Sequence, residues 1–221
     1  MRSEPGGGRS RGPGRPQAPV PREAFLAAAR QVFAEDGYDG ATVARIAALV
    51  GVTKAAVLHH FGSKETLYLI ALGTIADDLG RLVVEALAEP GAFLERLDRL
   101  GERVIRYLGA QPQAARLLVR ELVDAGPFLG RSGGELVERA LTATEALLRA
   151  GIEAGVVAHQ DPGQLAGSIV SLHLMWFAAH PVSGRLSAGD PFAPAQIEAR
   201  IEAVQVQVRR LCGLPVTRSQ V

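Results

Sequence analysis

Apolar residues along this chain recur at the three- and four-residue spacings of helices, and no stretch of useful length alternates as a half-buried strand does. Pro21 suits a first helical turn, and Phe25, Ala29, Val32 and Phe33 follow at spacings of four, three and one before Gly37 stops the helix. Thr42 is placed to cap a short second helix whose buried face is Val43, Ile46, Ala47 and Val50, and Gly51 ends it. Thr53 caps a third helix after about three connecting residues, and Ser63 caps a fourth that runs from Lys64 to about Leu87. Pro90–Gly91, Pro112, Gly126–Pro127, Gly130, Asp161–Pro162–Gly163 and the stretch 183–194 punctuate the later helical patterns. The pattern predicts an all-α chain of about nine helices.

The last helix carries the cleanest stripe. Ile197, Ile201, Val204, Val208 and Leu211 recur at spacings of 4, 3, 4 and 3, the seam of a helix lying along another helix. Before it, Leu165, Ile169, Leu172, Trp176 and Ala179 share one face while Val170, Leu174 and Phe177 are apolar elsewhere, so that helix needs cover on more than one side. Packing both helices against their copies in a second subunit would provide it. The expected dimer interface is therefore Leu165, Ile169, Leu172, Ile197, Ile201, Val204 and Val208, with an intramolecular core as the alternative. The most apolar segment, 165–182, is interrupted by two serines and two histidines and reads as a buried core helix, not a membrane span.

Composition changes this picture in three ways. A hydrophobic content of 48% over 221 residues is ample for a folded core, while residues 1–20, rich in Gly, Pro and Arg, read as a disordered basic arm. Charge is uneven: residues 1–65 hold nine Lys/Arg against six Asp/Glu, or +3, and the remainder is −2, so a nucleic-acid site belongs at the front. The single cysteine, Cys212, permits no internal disulfide and no metal cluster; no metal or cofactor is expected, and without an apolar leader the natural reading is a cytoplasmic protein with no membrane partner.

Two short helices joined by a tight Gly-containing turn make a helix-turn-helix, whose second helix lies in the DNA major groove. Val57 and the apolar residues of the preceding helix pack inward, leaving Thr53, Lys54, Ala55, Ala56 and His59 outside. Lys54 and Lys64 are the only lysines, and each follows a helix cap, where the positive end of the helix dipole disfavours it by about 0.3–1 kcal/mol. DNA phosphates at both helix starts would compensate. His59 and His60 point about 100° apart on a helix and cannot chelate one ion; His59 is expected on the DNA backbone and His60 half-buried beside it.

At this point the residues resemble a known family. The run from Arg22 to Leu72, with Phe33, Gly37–Tyr38, Thr42, Ile46–Ala47, Gly51–Val52–Thr53, His60–Phe61 and Ser63–Lys64–Glu65 before Leu67, is similar to the DNA-binding domain of TetR-family transcriptional regulators. The resemblance implies a homodimer with an N-terminal helix-turn-helix and a larger helical domain that binds a small molecule. It implies that Thr42 and Arg45 approach backbone or base edges, that Thr53 to Ala56 face bases, and that Lys64 holds a phosphate. The sequence departs from the family at Leu58, where an aromatic is usual, and at Ala55, where glycine is common. The arm "RSRGPGRP" resembles a minor-groove element, a solvated tail being the alternative.

The expected organisation is a basic arm (1–20), a three-helix DNA-binding domain (21–67), a regulatory and dimerisation domain (68–214) and a flexible tail (215–221). Candidate effector contacts are polar or aromatic residues in otherwise apolar helices: Tyr107, Arg120, Glu121, His173, Trp176 and His180. The expected function is a homodimeric repressor released from a palindromic operator in double-stranded DNA by an unidentified small molecule. An activator of the same build, an enzyme using His173, His180 or Glu121 as acid–base groups, and a protein-binding adaptor are the alternatives. No nucleophile motif or phosphate-binding glycine loop supports the enzyme.

Overall fold

A computed structural model of the protein describes residues 20–124, 126–128, 130, 132–187 and 189–214, apart from the side chains at 87, 132–137, 139 and 140. The basic arm up to residue 19 and the tail from 215 lie outside the described residues.

Four of the helix starts, after Thr42, Thr53, Ser63 and Asp161, fall where a short polar side chain satisfies a free backbone donor. After Pro21, α1 spans Arg22–Gly40, with Gly37 leaving helical geometry at φ 74°, ψ 176°. Thr42 Oγ1 accepts from the Arg45 amide at 3.2 Å to open α2, Val43–Val50. Gly51, at φ 74° and ψ 28°, supplies the left-handed residue of the turn. Thr53 then accepts from the Ala56 amide at 3.2 Å and opens α3, Lys54–Phe61, which makes an angle of 104° with α2. Ser63 caps α4, Lys64–Ala88, through the Thr66 amide at 3.0 Å. The remaining helices are α5 (Phe93–Ala110), α6 (Ala114–Asp124), α7 (Ser132–Glu153), α8 (Pro162–Ala178), α9 (His180–Leu186) and α10 (Pro194–Leu211).

Among the described residues the fold is entirely helical, with ten helices where the sequence pattern predicted about nine. The additional one is α9, in which the chain turns by 88° after α8 with Pro181 in the first turn; the apolar run 165–182 is thus two helices and not one. Among the described residues no single helix is long and apolar enough to cross a membrane.

Phe25, Phe33, Ile46, Val57, Phe61 and Leu67 close the front of the molecule, each 5% exposed or less. Burying such side chains contributes about 1.5–3 kcal/mol apiece, which holds three short helices that would not persist alone. The helix α4 continues without a break through position 68, packing on α1 in front and on α5 and α7 behind. α1 also touches α6 directly.

Within one chain most of the expected dimer seam is already covered, as the intramolecular alternative has it. Leu165, Ile169, Ile197, Ile201, Val204 and Val208 are all 8% exposed or less within one chain, and Leu172 is half-buried. α10 lies on α5 and α8 of its own chain. The 4-3-4-3 spacing identifies a buried stripe but carries no information about which molecule covers it.

Candidate functional site

Of the residues expected on the outward edge of α3, Thr53, Lys54, Ala55 and His59 are exposed and Ala56 is half-buried, while Val57 and Phe61 point into the core. Thr42 is exposed beside them. His60 is exposed and not half-buried, its ring resting on Phe25 with centroids 5.1 Å apart. Leu58 is half-buried against the core, so this side chain does not project as an exposed group. Arg22, which sequence reasoning passed over, places its guanidinium 5.6 Å from the Phe61 ring at the same end of the molecule.

Two cations expected on DNA are engaged within the chain. Lys64 Nζ donates to the carbonyls of Tyr38 at 2.9 Å and Ala41 at 3.2 Å, and lies 4.5 Å from the Tyr38 ring centre. Carbonyls left open where α1 ends are the negative pole of a helix, so Lys64 compensates that pole where the sequence reading had it compensating a phosphate. Arg45 pairs with both Asp36 and Glu35, which raise its pKa; these contacts are solvent-exposed and rearrange at little cost.

Behind α1, α2 and α3 lies an apolar cavity of about 370 Å³ between α4, α5, α6, α7, α8 and α10. Of the six predicted effector contacts it is lined by two, Glu121 and His173. His173 is 6% exposed; its Nδ1 lies 2.7 Å from the Ile169 carbonyl, and its Nε2 is buried with no partner. Burial lowers the pKa of this imidazole, against the Ile169 carbonyl, which raises it, and with Arg200, which lowers it. Glu121, 2% exposed, accepts a hydrogen bond from the hydroxyl of Tyr68 on α4, whose pKa is raised by burial and by that carboxylate.

The other four are placed elsewhere. Tyr107 is turned toward Asp78, and burial followed by that carboxylate raises its pKa. Arg120 donates to the Glu35 carbonyl at 3.1 Å, bridging α6 to the end of α1. Trp176 lies under Arg200, whose guanidinium carbon is 4.6 Å from the ring centre and whose pKa burial lowers to about 10. His180 packs on Phe192, with centroids 5.7 Å apart. Polar residues in apolar helices mark burial, but helix phase alone does not say which cavity or neighbour each one meets. Tyr68 went unpredicted because an aromatic in a DNA-binding motif reads as core.

These features define a helix-turn-helix protein with an apolar cavity in its larger helical part. Residues 25–70 match the model for bacterial regulatory proteins of the tetR family, and residues 94–208 match the tetracyclin repressor-like C-terminal domain. The chain belongs to the TetR family of transcriptional regulators. It is 29% identical over 194 residues to the HTH-type transcriptional repressor Rv1474c of Mycobacterium tuberculosis, covering 86% of this chain and 93% of that protein. In fold it resembles the TetR-family regulator PfmR of Thermus thermophilus (TM-score 0.68, 23% identity, covering 87% of this chain and 99% of that one). It also resembles AibR, solved with isovaleryl coenzyme A and operator DNA (TM-score 0.67, 19% identity, covering 87% and 98%).

Proposed function

We propose that the protein is a homodimeric repressor that holds a palindromic operator through Thr42 and the outward edge of α3, Thr53 to Ala56 with His59 and His60, and releases it when a small molecule enters the cavity. The observation that carries this reading is the exposed α3 edge, held by Val57 and Phe61 at 104° to its partner helix, the geometry that presents a helix to a major groove. Lys54, exposed at the start of α3, is its phosphate-reading group. Two links favour communication: Tyr68 joins α4 to Glu121 in the cavity wall, and Arg120 joins α6 to α1. An effector that binds one arrangement of these links better than the other shifts the spacing of the reading helices.

The test is selection of a random duplex library by the purified protein near physiological salt. A retained palindrome that is lost with a Lys54→Ala, His59→Ala double variant is the expected result. Retention of unrelated sequences, or a palindrome indifferent to that variant, would sink the reading.

A further inference from the structure

We propose that Arg22 is a second phosphate contact at the DNA-binding end, gripping the backbone across the major groove from Lys54. This rests on the operator reading above and adds to it a residue that the helix-turn-helix itself does not contain. Five lysines and arginines lie between residues 20 and 72. Arg30 is buried and paired with Glu23, Arg45 is held by Glu35 and Asp36, and Lys64 is engaged by two carbonyls. Arg22 and Lys54 remain, both exposed and, among the described residues, in no ion pair. A surface that takes up a polyanion while its other cations are engaged draws first on these two.

Their positions fit the two sides of a groove. Lys54 is the first residue of α3, and Phe61, under the Arg22 guanidinium, is the last. Eight residues of helix are about 12 Å long, and the major groove is about 12 Å wide. A reading helix set into that groove therefore brings a cation from each of its ends to a different strand. Arg22 is also held ready on an aromatic platform. Its guanidinium carbon lies 5.6 Å from the Phe61 ring centre, Phe61 meets Phe25 edge-on at 5.8 Å, and the exposed His60 rests on Phe25 at 5.1 Å. A guanidinium laid over a ring uses its face, so the N–H donors round its edge stay open to phosphate oxygens. Resting on the platform also removes part of the entropy that a free arginine loses on binding.

Phosphates are alike on every sequence, so the first measurement needs no operator: the full chain is titrated with a mixed-sequence duplex at salt concentrations from about 50 to 200 mM. Arg22→Ala should lower the slope of log affinity against log salt by about 0.9 for each subunit bound, and Arg22→Lys, which keeps the charge, should leave it unchanged. The Arg22→Ala, Lys54→Ala double variant should lose the sum of the two single changes. On the palindrome retained from the random library, ethylation of individual phosphates shows which of them matter. Within a half-site, the phosphate that ceases to interfere in Arg22→Ala should lie on the opposite strand from the one that does so in Lys54→Ala. An unchanged slope in a folded Arg22→Ala variant overturns the proposal and leaves the operator reading standing; a lowered Tm with that unchanged slope would mean that the arginine serves only to cover Phe61. Two losses on one strand overturn the placement across the groove. Binding to neither duplex overturns this inference and the operator reading together.

Discussion

Lys54 and Lys64 occupy equivalent places after Thr53 and Ser63, yet one side chain is exposed and the other is bound to two carbonyls of its own chain. The two substitutions should therefore separate. Lys54→Ala is expected to lower the slope of log affinity against log salt by about 1, as loss of one phosphate contact does. Lys64→Ala should leave that slope unchanged and cost about 1 kcal/mol of stability in urea unfolding, the net scale of an intramolecular hydrogen bond lost from backbone acceptors. Equal effects on the slope would return Lys64 to the DNA. His173 gives a second residue-scale test. Its folded pKa is lowered by burial, so on acidification the unfolded chain takes up the proton first. The stability it contributes is fully present above the unfolded value of about 6.5 and is lost as pH falls toward the folded one. Urea midpoints of the wild type should drop through that window more steeply than those of His173→Phe, and parallel curves would show that the ring does not titrate there.

At the scale of elements, the capped starts of α2, α3 and α4 and the stop at Gly37 were legible, because a hydroxyl or a glycine acts on backbone groups within a few residues of itself. What converges at Gly37 was not. Its φ of 74° is a conformation that L side chains rarely adopt, and a Cβ there would meet the Arg120 guanidinium at 2.8 Å. Arg120 comes from 83 positions further along the chain, and helical spacing carries no signal for such a meeting. Gly37→Ala therefore has two costs, backbone strain of about 1–3 kcal/mol and displacement of the α6 link to α1. It should lower the urea midpoint and also weaken the response of operator binding to effector. Loss of stability with an unaltered response would mean that Arg120 holds the helices together without transmitting anything between them.

For the molecule as a whole, the seam of α10 and the inner face of α8 are spent on the chain's own core, so the homodimer proposed above would have to use what those helices leave outside. Gly167, Ser168 and Ser171 on α8, Met175 at 50% exposure, and Ala195, Ala199 and Ala203 on α10 are exposed. Small side chains on two exposed helices allow the close approach that a four-helix contact between copies requires. The sequence showed that these helices are apolar but not which face goes to which neighbour, because Ile201 and Ala199 differ in size while both count as hydrophobic. The two assignments give opposite outcomes. Ser168→Arg adds bulk and charge to the outer face, away from the cavity lining, and should leave helical content and Tm near wild type. In sedimentation it should yield a monomer, with palindrome binding weakened to the level of a single half-site. Ile201→Asp buries an unpaired carboxylate at a position 6% exposed and should unfold the chain instead of dissociating it, at a cost of about 3–5 kcal/mol. A folded dimer of Ser168→Arg that still binds the palindrome would move the interface off α8, and the symmetry of the operator would then have to be met by another pair of faces.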